Sequence, residues 1–255
     1  MRAQNRNREQ DFSKNTWRSA AALAVSTALF VAYFQYEKFN ASVQREMQQN
    51  AQVGRPLVGG PFSLVDHHGR PVTDQDFRGK WMLVYFGYTF CPDVCPEELE
   101  KMGTVIDAIT AAEGEASINS SSANDDVAQY QHAPLVPLFI SCDPKRDSIA
   151  SIKEYLAQFH PTFLGLTGTH GQIKRVAKAY RLYYSAPPKA VDDDETDYLV
   201  DHSIFFYLMD PEGKYVFHFG RNETAEDVVA RITAARQAYA SYAVDEAKKA
   251  APART

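Results

Sequence analysis

From Trp81 to Pro96 the chain reads WMLVYFGYTFCPDVCP, and its first six residues are apolar or aromatic without a break. A run that short and continuous is what a strand buried on both faces needs. Gly87 ends it, and Cys91-Pro92-Asp93-Val94-Cys95-Pro96 comes soon after. Beyond the cysteines, Leu99, Met102, Val105, Ile106 and Ile109 recur at helical spacing within Glu97 to Ile109. The order is strand, cysteine loop, helix.

The same alternation continues downstream. Leu135 to Ile140 reads as a second buried strand, followed by a helical stretch from Ser148 to Phe159, a short strand from Phe163 to Leu166, and a helix carrying Ile173, Val176, Ala177 and Tyr180. The pattern then changes. Ile204 to Met209 and Tyr215 to Phe219 are separated by Asp210-Pro211-Glu212-Gly213-Lys214, a turn that makes an antiparallel hairpin, and a last helix begins near Thr224 with Val228, Val229 and Ile232 turned inward. Upstream, Pro61 to Val65 and Pro71 to Val72 flank the polar turn Asp66-His67-His68-Gly69-Arg70, a leading hairpin. A βαβ half joined to a ββα half predicts an α/β, thioredoxin-like fold with a central mixed sheet flanked by helices. The polar stretch 113–132 is expected to be disordered or a surface loop, and the acidic run Val191 to Asp197 a solvated loop.

With 255 residues, 45% hydrophobic and 23% charged, the chain suits one main domain with appendages. The net charge of −5 supplies no basic stripe, so nucleic-acid binding is set aside. No charge interrupts Ser19 to Gln35, which makes 17–36 a candidate single membrane span about as long as a bilayer core requires. Trp17, Tyr33 and Tyr36 stand where interfacial aromatics are favoured, and no small-residue cleavage site follows. Arg2, Arg6, Arg8, Lys14 and Arg18 precede the span while Lys38 and Arg45 follow it, placing the large C-terminal part away from the cytoplasm or matrix. The expected organisation is a basic segment over 1–16, the anchor at 17–36, a polar tether at 37–54, the thioredoxin-like domain over 55–240 with its insertion at 113–132, and a tail from 241 to 255.

Cys91 and Cys95 sit where a strand gives way to a helix, and backbone N–H groups at a helix start favour thiolates. Two sulfurs at this spacing can converge on one metal ion or close a disulfide. Only Cys142 remains among the thiols, which rules out a four-cysteine zinc site. His202, in Asp201-His202-Ser203 before the Ile204 strand, is the nitrogen donor best placed to reach the cysteines, with His218 the substitute. Taken alone, such a histidine is more often a hydrogen-bonded structural residue. His67, His68, His132, His160 and His170 each have a surface explanation. Two thiolates and one imidazole suit copper(I), whereas zinc would take a fourth donor and an iron–sulfur cluster more cysteines.

The segment Gly79-Lys80-Trp81 leading to Tyr85-Phe86-Gly87-Tyr88-Thr89-Phe90-Cys91-Pro92-Asp93-Val94-Cys95-Pro96 resembles the signature of the Sco/SenC copper proteins. Later blocks, Ser141-Cys142-Asp143-Pro144-Lys145-Arg146-Asp147, Gly165-Leu166-Thr167-Gly168-Thr169 and Asp197-Tyr198-Leu199-Val200-Asp201-His202-Ser203, are similar to those of the family in the same order. The resemblance covers roughly Val53 to Ala235. It implies a metallochaperone acting as copper donor, thiol reductant or both, with a thiol–disulfide reductase activity left open, binding copper through Cys91, Cys95 and His202, as copper(I) with copper(II) left open. It also implies a role in assembling the dinuclear copper centre of cytochrome c oxidase subunit II, a small soluble copper donor as second partner, and a mitochondrial inner-membrane location with the domain in the intermembrane space. A bacterial plasma-membrane anchor and a homodimer stay open. Cys142 stands where the family usually has an aliphatic residue, and the 113–132 insertion is longer than expected. The rival reading is a membrane-anchored thiol–disulfide oxidoreductase that uses a Cys91–Cys95 disulfide. Against it, Val200-Asp201-His202-Ser203 lacks the cis-proline that redox thioredoxins place before the corresponding strand.

Overall fold

The computed structural model describes residues 21–38, 41–42, 58–113, 133, 135–185 and 198–250, in two compact units, 1–46 and 47–255. In the first unit, residues 21–38 form a helix, α1, whose Leu23, Leu29, Phe30 and Phe34 are exposed. Among the described residues no helix is long and apolar enough to cross a membrane. The described helix begins four positions after Trp17, and its last turn holds Gln35, Glu37 and Lys38. Residues 17–20 of the expected span, the basic segment, most of the tether, the insertion beyond Glu113 and the acidic run 191–197 lie outside the described residues.

The second unit is built on a seven-stranded mixed sheet. Its strands are β1 (Ser63–Asp66), β2 (Pro71–Thr73), β3 (Trp81–Gly87), β4 (Leu135–Ser141), β5 (Leu164–Thr167), β8 (Phe205–Met209) and β9 (Tyr215–Gly220), in the order β2-β1-β5-β4-β3-β8-β9. The β3–β4 and β4–β5 pairs are parallel and the others antiparallel. The helices α2 (Val94–Glu113), α3 (Ile149–Leu156), α4 (His170–Ala179) and α5 (Ala225–Ala250) complete the thioredoxin-like arrangement. A short ribbon, β6 (Tyr184–Ser185) paired antiparallel with β7 (Asp201–His202), stands apart from the main sheet.

Every residue of β3 and β4 is buried, as strands covered on both faces must be. Their side chains alternate between faces. Met82, Val84 and Phe86 join Val136, Leu138 and Ile140 in a core covered by Ile173, Val176 and Ala177 of α4. Tyr85 takes the other face, with the rings of Phe139 and Phe206 beside it at 6.3 and 5.6 Å. The buried Leu99, Met102, Val105, Ile106 and Ile109 give α2 its apolar stripe, and α2 packs against α5 and β4.

Local chemistry sets the element ends. Ser148 caps α3 through the Ser151 N–H at 3.0 Å, and Thr169 and Gln172 form a reciprocal capping box at the start of α4. Two turns follow one design. Asp66 Oδ1 accepts from His68 and Arg70 N–H groups ahead of β2, and Asp210 Oδ1 accepts from Glu212 and Lys214 N–H groups ahead of β9. Gly69 and Gly213 take the positive φ angles, 83° and 69°, that those turns require. Compared with the sequence reading, α2 starts at Val94 rather than Glu97, so Cys95 lies inside its first turn. The last helix runs to Ala250, through the boundary expected at 240.

Candidate metal centre

Cys91 lies in the turn after β3, where its N–H donates to the Tyr88 carbonyl at 3.2 Å. The chain then enters α2, and the Cys95 N–H points back to Cys91 Sγ at 3.5 Å. This is the helix-start stabilisation of a thiolate that the sequence led one to expect. Cys91 is half-buried and Cys95 is fully buried. Behind Cys95, the buried Tyr85 hydroxyl donates to its sulfur at 3.5 Å.

The imidazole arrives from the β6–β7 ribbon. His202 pairs with Tyr184, and the Ser203 N–H donates to the Tyr183 carbonyl at 2.9 Å. His202 Nδ1 lies 3.1 Å from the Ser203 carbonyl, which can only accept, so the network assigns the proton to Nδ1 and leaves a lone pair on Nε2. That Nε2 stands 3.4 Å from Cys95 Sγ. The edges and faces of Tyr85 and Tyr88 bracket the ring, with centroids 6.2 and 5.8 Å away. The donor atoms of Cys91, Cys95 and His202 all lie within 4.8 Å of one another. No other group of three or more His, Cys, Asp or Glu side chains among the described residues is arranged to hold a metal ion.

The electrostatics separate the two thiols. A hydrogen bond from the Cys95 thiol is the largest influence on Cys91; burial opposes it, and the N–H groups of Cys95 and Asp93 reinforce it, bringing Cys91 down to about 3. Cys95 moves the opposite way, because it is the donor to Cys91 and is buried, with Tyr85 offsetting only part of the rise. The reduced pair therefore holds one thiolate and one proton. A soft cation entering among the three donors would replace that proton and leave two thiolates and a neutral imidazole.

The remaining candidates fall elsewhere. His218 is exposed on β9, where Nδ1 meets the Tyr215 hydroxyl at 2.6 Å and the ring packs on Phe205. His160 bonds Asp107 and Thr162, and His170 is the first residue of α4. His67 corrects the surface reading. It is buried and accepts from the Gly165 N–H at 2.9 Å, its Nδ1 3.1 Å from where a β-carbon at Gly165 would stand. Cys142 is buried with Tyr88, Tyr198 and Val200, and Cys91 packs against that cluster. No cis peptide bond occurs among the described residues.

A thioredoxin-like domain with two thiols at a helix start and an imidazole brought to them by a separate ribbon defines a thiol-based, metal-binding member of that fold. Residues 50–237 match the family model for SCO1/SenC. The chain is 44% identical over 232 residues to Protein sco1 of Schizosaccharomyces pombe, covering 89% of this chain and 80% of that one. It is 40% identical over 224 residues to the human "SCO1 homolog, mitochondrial", covering 88% and 68%. The crystal structure of yeast Sco1 with copper bound superposes with a TM-score of 0.59 at 42% identity, covering 78% of this chain and 92% of that one. The chain belongs to the SCO1/SenC family.

Proposed function

We propose that this chain binds copper(I) through Cys91, Cys95 and His202 and serves in the assembly of cytochrome c oxidase, passing the ion to the dinuclear copper centre of subunit II. The observation that carries the reading is the convergence of those three donors within 4.8 Å. Two sulfurs and one nitrogen match the preference of copper(I) for soft ligands at low coordination, and a yeast relative has been solved with copper bound. The half-buried Cys91 thiolate meets the incoming ion first, Cys95 releases its proton, and His202 closes the set. A small soluble protein supplies the copper. When an external disulfide takes two electrons from the metal-free dithiol by thiol exchange and leaves as two thiols, Cys91 and Cys95 join in a disulfide, and the bridged sulfurs lose the charge that makes them donors.

The same dithiol supports a second reading, in which it reduces a disulfide of the client by thiol exchange and ends as the Cys91–Cys95 disulfide itself. The low value of Cys91 favours attack by its thiolate. Mixing the copper(I)-loaded full chain with the reduced, metal-free copper domain of subunit II separates the two. Copper appearing in the client, and not from Cys91→Ala, supports delivery. A client that gains thiols from the metal-free chain but never copper would replace delivery with reduction.

The location we propose is the mitochondrial inner membrane, with residues 17–36 as a single span and the domain in the intermembrane space. The exposed apolar residues of α1, the charge asymmetry across 17–36 and the mitochondrial relatives support it. Alkaline extraction should leave the full chain in the membrane pellet and release a chain lacking 17–36. Release of both would contradict the anchor.

A further inference from the structure

The loop between β4 and α3 holds a guanidinium that touches both halves of the donor set without reaching the donors. Arg146 is 7% exposed at its side chain, and its Nε donates to Asp143 Oδ2 at 2.6 Å. The guanidinium carbon lies 3.6 Å from the ring centre of Tyr198, 4.8 Å from that of Phe90 and 5.6 Å from that of Tyr88. Arg146 is therefore packed among three aromatic rings. Two of them, Tyr88 and Phe90, belong to the segment that delivers Cys91. The third, Tyr198, belongs to the segment that delivers His202.

Further bonds make this a closed clasp. The Tyr198 hydroxyl donates to Asp143 Oδ1 at 2.8 Å, so one carboxylate holds both the guanidinium and the ring stacked on it. The Val200 N–H donates to the Tyr88 hydroxyl at 3.3 Å, and the Tyr88 ring borders His202. Next along the loop, Asp147 accepts from the Thr89 N–H and hydroxyl at 3.1 and 2.7 Å. Burying an Arg–Asp pair is poor evidence of a stabilising device, since desolvation offsets most of the attraction. The position of this pair, between two segments that share no strand of the main sheet, points to alignment.

We propose that Arg146 is a positioning residue for the nitrogen donor, holding the His202 segment against the Cys91 turn so that all three donors meet one ion. The inference rests on the copper-site reading above. Two thiolates on neighbouring turns hold copper(I) by themselves, so loosening the clasp detaches the imidazole before it releases the metal. Loss of a residue that orients a ligand lowers metal affinity by about 10- to 100-fold.

The test compares the reduced full chain with Arg146→Ala, Arg146→Lys and Arg231→Ala, by chelator competition for copper(I) and by X-ray absorption of the bound ion. Arg231 is the control, since it stacks on Phe217 and Phe219 at 4.4 and 5.1 Å and pairs with Glu223 away from the three donors. Arg146→Ala should keep one copper(I) but bind it about tenfold or more weakly, with the nitrogen scatterer lost. Arg146→Lys keeps the charge without the planar stacking and should fall between. It carries the same test should the alanine variant not fold. Arg231→Ala should match the parent in both readouts. Unchanged affinity and nitrogen scattering in both Arg146 variants would overturn the proposal, as would an equal loss in Arg231→Ala. A parent without a nitrogen scatterer would sink the copper-site reading itself, and the clasp with it.

Discussion

A β-carbon added at Gly87 would stand 3.0 Å from Cys95 Sγ, 3.0 Å from Tyr85 Cε1 and 2.9 Å from Phe139 Cε2. The cysteine sulfur thus occupies space that only glycine leaves free. Gly87→Ala must push Cys95 aside or strain β3, a cost of roughly 1–3 kcal/mol of overpacking. It should lower the denaturation midpoint and weaken copper(I) binding together. A variant unchanged in both would mean that Cys95 is held less tightly than these distances imply. In the sequence Gly87 is legible only as the end of an apolar run; its contact with the sulfur is a tertiary fact. The cysteines were legible because a thiol pair at a strand-to-helix junction has a chemical meaning of its own, whatever packs around it. His202 was legible mainly through the family resemblance, since the ribbon that carries it is two residues long and leaves no periodic signal.

At the scale of elements, the leading hairpin is fastened to β5 by a histidine. His67 accepts from the Gly165 N–H, and β1 pairs antiparallel with β5 through Val65 and Asp66. Burial, then the charge of His68, lowers His67 from 6.5 to about 4, with Asp66 working the other way and Lys153 and Arg70 adding to the fall. A histidine lowered on folding binds its proton more readily when unfolded. Its contribution is fully present above pH 6.5 and is lost as the pH falls toward 4, at roughly 2 kcal/mol once solvent screening is allowed for. Urea midpoints measured across that window should fall more steeply for the parent than for His67→Gln. Equal slopes would remove His67 from the account. The hairpin itself follows from its turn residues, but the burial of His67 does not. That burial depends on Gly165, 98 residues away in the chain, where a β-carbon would collide with Ile152 and Leu156.

Over the whole molecule, the order of strands and helices in the sequence leads directly to the mixed sheet, because each buried strand is a continuous apolar run and each helix has its own stripe. What that order leaves out is the long-range fastening: the β6–β7 ribbon, the antiparallel β1–β5 joint and the Arg146 clasp. All depend on pairs distant in sequence, made by polar groups that carry no period. The proposed function puts its weight on one consequence of the assembled domain, a site of three donors that takes one soft ion. Metal analysis of the reduced full chain, beside Cys91→Ala, Cys95→Ala and Cys142→Ala, tests that consequence most directly. The parent and Cys142→Ala should each carry one copper(I) per chain, while Cys91→Ala and Cys95→Ala should retain none after exchange against a chelator. Loss of copper from Cys142→Ala alone, with full occupancy in the other two variants, would contradict the assignment of the site.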